Sequence, residues 1–279
     1  MKVLLPTDFS ENAFNATRYA LQMFVDDAVE FVLLHAFDVN GYVEGSQFSA
    51  APSELGLEAA RQESAASLLQ LEKKLATLSK NPNHKFRRVS KNWDLVAAIK
   101  EELRFSETSL IVIGTQGSTG AYQTVYGSNT VKIMEEVKNC PILAVPADVS
   151  FNGFNEIALA NGYKIHHKEA DFTYIKFLAK KYKAPIRVLH ISEIGGLNAQ
   201  QLENKAFLES QLQEVETTFH MLEHVNVPIG IYCFSESRNS DLISFVNKKY
   251  SFMEKLLFKP LYKNLGNYSK TPVLVVHQQ

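Results

Sequence analysis

The first 147 residues alternate short apolar runs with longer stretches in which apolar residues return every three or four positions. VLLPT at 3–7, VEFVLLHAF at 29–37, FRRVS at 86–90, SLIVIG at 109–114 and PILAVPA at 141–147 read as strands. Ser10 caps a helix that carries Ala13, Thr17, Ala20, Leu21 and Phe24 at helical spacing. A polar segment from 40 to 53 leads into a long helix marked by Leu68, Leu69, Leu75 and Leu78. Asn92 is expected to cap a third helix around DLVAAIKEEL, and VKIMEEV belongs to a fourth. Strands that are mostly apolar on both faces and alternate with helices predict a parallel sheet covered on each side.

The second half repeats this plan. LIVIGTQGSTGAYQTVYGSNTVKIMEEVKNCPILAVPA lies over LISFVNKKYSFMEKLLFKPLYKNLGNYSKTPVLVVHQQ without a gap, at a constant offset of about 131 residues. VLLHAFDV resembles IRVLHISEI, and DLVAAIKEEL resembles DLISFVNKKY. A tandem duplication leaves this kind of self-similarity, so two α/β domains are expected, 1–148 and 149–279, joined around 149–155. The copies differ in chemistry. Under that offset Gly114 becomes Phe245, Gly117 becomes Lys248, Gly127 becomes Phe258 and Ser128 becomes Lys259. LLPTD becomes IALANG, with no carboxylate in the place of Asp8.

Three of the chain's thirteen glycines fall in the spacing G-x2-G-x9-G-S, between an apolar strand and a helical pattern. In an open parallel sheet, ligands bind at the carboxyl ends of strands where neighbouring connections diverge. Pro6, Thr7 and Asp8 end the first strand, while Gly114, Gly117 and Ser118 follow the fourth. Gly127, Ser128, Asn129 and Thr130 open the next helix, whose first amides favour a phosphate. Gly114 is expected to let a ligand approach the main chain, and the Ser128 and Thr130 hydroxyls to add donors. Asp8 suits a ribose hydroxyl or a metal ion.

These residues, with PTDFS and the closing CPILAVP, resemble the universal stress protein family in its tandem, nucleotide-binding form. The resemblance implies a doubly wound fold with a mainly parallel five-stranded sheet, flanked by helices, in each of two tandem domains. It implies ATP, or AMP or ADP, in the first half, with Ala36 beside the adenine and Mg as an optional companion. The second half, lacking the motif, is then the packing partner in an intrachain pseudo-dimer.

Composition narrows the partners. A net charge of -1 gives no general attraction to nucleic acid or anionic membranes. No apolar run reaches the length of a bilayer span, and a cytoplasmic chain is expected. Cys140 and Cys233 form no C-x-x-C pair and are expected to be small buried hydrophobes. HMLEH at 220–224 matches H-x-x-E-H, but on a helix with its apolar stripe at Leu208, Leu212, Val215, Phe219 and Leu222 it reads as a solvated face. His166 and His167 read as bland, and His35 and His190 as structural counterparts at strand ends. No lysine or arginine occurs from 110 to 131, so a phosphate cradled there lacks the P-loop cation and its hydrolysis is expected to be slow or absent. The resulting expectation is a nucleotide-binding stress or regulatory protein with an unidentified protein partner, with homodimerisation left open and binding ordering the 118–126 segment. Slow ATP hydrolysis through Asp8 and a metal, or an interaction module without nucleotide, are the alternatives.

Overall fold

The computed structural model describes residues 1–37, 54–115, 127–192, 196–247 and 271–278. Among these residues ten strands form one sheet in the order β3-β2-β1-β4-β5-β10-β9-β6-β7-β8. The first five are Lys2–Pro6 (β1), Glu30–Ala36 (β2), Lys85–Lys91 (β3), Leu110–Gly114 (β4) and Ile142–Val145 (β5). The other five are Ile157–Ala160 (β6), Ile186–Ser192 (β7), Thr217–Glu223 (β8), Leu242–Asn247 (β9) and Val273–His277 (β10). All neighbours run parallel except β5 and β10, which pair antiparallel with Val273 opposite Ala144 and Val275 opposite Ile142. Each half is therefore a doubly wound five-stranded unit, and the antiparallel pair fuses the two sheets edge to edge.

The helices are Glu11–Met23 (α1), Glu54–Leu78 (α2), Leu95–Phe105 (α3), Ser128–Glu136 (α4), Thr173–Tyr182 (α5), Ala199–Gln211 (α6) and Val227–Arg238 (α7). Alternate residues of each strand point to opposite faces, so two cores result. Val3, Leu5, Phe31 and Leu33 meet α1 and α2 on one face, with Ile157, Leu159 and α5 continuing it in the second half. Leu4, Val32, Ile111 and Ile113 meet α3 and α4 on the other, continued by Ala158, Ile243 and α7. Both cores run through the junction. The segment at 149–155 is packed too: Phe151 and Phe154 meet Tyr182 edge-on with centroids 5.3 and 5.0 Å away, and Asn15 Nδ2 donates to the Pro146 and Val149 carbonyls.

Several local expectations are revised. Asp94, not Asn92, caps α3, accepting from the Val96 and Ala97 amides. Leu71 takes the buried position on α2 beside Leu68 and Leu75, while Leu69 and Leu78 lie exposed. Cys140 is buried as expected, but Cys233 is exposed. HMLEH lies in β8 and just beyond it, because α6 ends at Gln211 and the β-branched pair Thr217 and Thr218 opens a strand. DLISFVNKKY supplies β9; the counterpart of α3 between the third and fourth strands is α7.

The sheet register also corrects the gapless alignment. Leu110 pairs with Val3 and Leu242 with Ile157, which makes Val246 the counterpart of Gly114 in place of Phe245. The offset is 132 at β4 and β9, whereas Pro141 and Pro272, both accepting from the neighbouring strand, lie 131 apart. One residue is thus missing from the second copy between these strands. The second-copy positions 248, 258 and 259 lie outside the described residues.

Candidate functional site

The strand order places a switch point between β1 and β4, with the β1 connection leaving to β2 and the β4 connection to β5. At the end of β1, Pro6 and Thr7 are buried and Asp8 is exposed. The Thr7 amide donates to the Leu34 carbonyl at 2.9 Å, which continues the sheet by one residue. Asp8 Oδ1 then accepts from the Ser10 amide at 3.1 Å and from the Ser10 hydroxyl at 2.6 Å. Ser10 Oγ in turn accepts from the Ala13 amide as the cap of α1. A short polar chain therefore fixes the carboxylate over the start of α1.

Gly114 ends β4 and is buried. A Cβ on it would lie 3.0 Å from the Asn12 carbonyl oxygen and 3.0 Å from Asn12 Cγ. The expected open approach is thus occupied by α1, and the glycine is there for close helix-strand packing. Its carbonyl accepts from Thr130 Oγ1 at 2.8 Å in a buried bond. The Thr130 hydroxyl, expected as a phosphate donor, is instead spent on latching α4 to β4.

Gly127 precedes α4 as its N-cap, with φ -65° and ψ 155°. Any residue adopts that conformation. What glycine contributes is a missing side chain: among the described residues no side-chain cap bond covers the first turn of α4, and no acid lies in it. Caps of α1, α3 and α6, by contrast, are Ser10, Asp94 and Asn198, each accepting from first-turn amides. The Gly127 amide donates to the Thr115 carbonyl at 2.6 Å, fixing the entry angle. Ser128 and Asn129 are exposed. The outcome is a nine-residue helix whose positive end has no side-chain cap among the described residues.

Asn12 and Thr130 thus meet at Gly114, Gly127 is tied to the adjoining Thr115, and Asp8 ends the neighbouring strand β1. Ala36 stands across β1 from Gly114, at the end of β2. Gly117, Ser118 and the 118–126 segment lie outside the described residues. Sequence reasoning missed Phe9, which sits at φ 63° with its ring 4.5 Å from that of His35. His35 Nδ1 shares a hydrogen bond with Ser64 Oγ, which meets Ser90 Oγ at 2.7 Å. Burial holds the imidazole below its usual range, against the opposing pull of the Asp8 and Glu63 carboxylates. The signal for Phe9 was in the repeat. The register pairs Thr7 with Asn161, so Tyr163 is its counterpart, at φ 53° and 4.8 Å from the His190 ring.

Among the described residues, no group of three or more His, Cys, Asp or Glu is placed to hold a metal, and no helix is long and apolar enough to cross a membrane. HMLEH contributes no exception: His220 Nε2 meets Thr218 Oγ1 at 2.7 Å, and His224 follows the strand at φ 57°.

A doubly wound unit with a glycine-capped helix terminus at its switch point defines a class of small-ligand binding folds. Within that class the universal stress protein family model matches residues 1–146, and the chain belongs to this family. A universal stress protein from Archaeoglobus fulgidus DSM 4304 is similar over 99% of this chain and 96% of its own, at 17% identity and a TM-score of 0.71. A functionally unknown protein from Pseudomonas aeruginosa PAO1 is similar over 99% and 92%, at 12% identity and a TM-score of 0.60. Both carry the same fold along the whole chain. A universal stress protein in complex with cAMP is matched over 52% of this chain and 96% of its own, at 18% identity and a TM-score of 0.37. Comparison with curated proteins returns no match.

Proposed function

We propose that the first half binds an adenine nucleotide, ATP or its relatives AMP and ADP, and that the chain works as a nucleotide-responsive regulator in the stress role of its family. The observation that carries this reading is the N-terminus of α4. Its entry is pinned by Gly127 and Thr130, yet among the described residues no side chain caps its first amides, where serine, threonine or aspartate is the usual choice. A phosphate would take the place of the absent cap, as anions do at helix N-termini. Asp8, held by Ser10, would accept from the sugar hydroxyls, and Ala36 would lie by the base. Gly117 and Ser118 are assigned to the phosphates by the family motif.

The chain divides in this reading into a binding domain, 1–148, and a partner domain, 149–279, which completes an internal pseudo-dimer. Its two free cysteines suit the reducing cytoplasm in which we place it. Mg would accompany the nucleotide through the phosphates and Asp8.

Calorimetric titration of the full chain with ATP, with and without Mg, tests the proposal. Saturable binding is expected, and Gly127→Asp should weaken it about tenfold or more, since its carboxylate would occupy the same amides and repel the phosphate. The variant should match or exceed the parent in stability by a few tenths of a kcal/mol, because aspartate is a good cap. Absence of saturable heat for ATP, ADP and AMP at millimolar concentration overturns the reading.

A further inference from the structure

The seam between the two halves holds a cavity of about 230 Å³. Three parts of the chain build it. Tyr19 comes from α1, Asn152 from the segment that joins the halves, and Glu236, Asn239 and Asp241 from the end of α7 and the turn into β9. Pro272, just before β10, is also in the wall. Continuing the register of β5 and β10 sets Pro272 beside Val145, the partner of Gly114. The cavity therefore lies two strands, about 10 Å, from Gly114 at the same end of the sheet.

Bonds within the protein fix these walls. Asn239 ends α7 in the left-handed region, at φ 53°, with its amide on the Glu236 and Ser235 carbonyls. Asp241 Oδ2 accepts from the Asn155 and Glu156 amides at 2.6 and 3.1 Å, which ties the carboxylate to the joining segment. A carboxylate offers about four acceptor sites, so capacity remains for an occupant. On the α1 side, Asn15 holds the Pro146 and Val149 carbonyls, and the Tyr19 ring meets Phe151 edge-on with centroids 5.2 Å apart.

Tyr19 selects the kind of occupant. It is only 2% exposed, yet its hydroxyl has no hydrogen-bond partner among the described residues. Burial pushes the phenol pKa far up, with Tyr182 and then Asp241 acting in the same direction, so the hydroxyl keeps its proton and is a donor. A buried donor left unmade is costly. The group that satisfies it has to accept from Tyr19 and donate to the carboxylates of Asp241 and Glu236. An ammonium group cannot accept, while a carboxylate cannot donate and would meet two negative charges. A hydroxyl does both, and the Asn152 and Asn239 carboxamides, each a donor and an acceptor, suit further hydroxyls beside it. The volume falls short of the roughly 300–1,000 Å³ of pockets for drug-sized ligands, which fits a single sugar ring or a short polyol.

We propose that this cavity binds a small neutral polyol of monosaccharide size, through hydroxyls that accept from Tyr19 and donate to Asp241 and Glu236. Helix α1 carries both Tyr19 and Asn12, the residue packed against Gly114, so one element touches this cavity and the candidate site of the first half.

The test uses the full chain labelled at valine methyls, titrated with glucose, sorbitol and myo-inositol, with putrescine as a cationic comparator at constant ionic strength. The methyls of Val149, in the cavity wall, should shift saturably with at least one polyol. Those of Val188 in β7 should stay in place. Tyr19→Phe keeps the ring against Phe151 and removes only the hydroxyl, and Glu236→Ala alters an exposed residue. Each should lower polyol affinity about five- to tenfold. Failure of all three polyols to shift Val149, a tighter response to putrescine than to any of them, or either variant binding as tightly as the parent overturns the assignment.

Discussion

Gly114 and Thr130 show how single atoms hold the proposed site together. The Gly114 carbonyl is buried and accepts from Thr130, while the space beyond its Cα is filled by Asn12. Thr130→Val keeps the shape and removes the donor, leaving that carbonyl unpaired, which should cost about 1–3 kcal/mol in urea unfolding. Gly114→Val should cost a similar amount by overpacking against the Asn12 main chain. If either substitution left the unfolding midpoint unchanged, the latch would be decorative. Three glycines and Ser128 were legible in the sequence as one motif, with Thr130 read beside it as a further donor, but their separate duties were not. Spacing records which residue types recur, whereas the division between packing at Gly114 and an open cap at Gly127 depends on where α1 comes to rest.

At the scale of elements, periodicity fixed most strands and helices and failed where two periods overlap. Val215, Phe219 and Leu222 fit a helical stripe continued from Leu208 and Leu212, yet the chain turns after α6 and enters β8. In an extended strand, residues four apart are separated by about 13 Å, far more than two ligands of one ion can be. His220 and His224 therefore cannot share a zinc ion from this element. Titration with zinc should give no saturable site that His220→Ala or His224→Ala removes, and each variant should stay within about 0.5 kcal/mol of the parent. A tight site lost in both variants would show the strand assignment to be wrong. The cap of α3 illustrates the same limit on a smaller scale: Asn92 and Asp94 are both good caps, and only the path of the chain selects Asp94. Asp94→Ala should lower stability by about 1 kcal/mol, and Asn92→Ala by less.

For the whole molecule, the duplicated plan was readable because both copies keep their buried strands, while the one-residue shortening after β9 was invisible until register was known. Fusion through β5 and β10 makes stability a property of both halves together, and His277 reports on that union. It lies buried at the end of β10, in the second half, and bonds to the Met134 main chain of α4, in the first. Burial lowers its pKa to about 4, against the Met134 contact and with help from Lys138. The unfolded chain, with an ordinary histidine near 6.5, takes up the proton first as pH falls. The contribution is therefore complete above pH 6.5 and is lost progressively toward pH 4. The shift corresponds to about 2.5 kcal/mol by pH 4.5. Urea unfolding at pH 7.5 and 4.5 should show this loss in the parent and a correspondingly smaller one in His277→Gln, other titrations being common to both. Equal losses in the two proteins would mean that the histidine is not held neutral, and that acid sensitivity of the junction has its origin elsewhere.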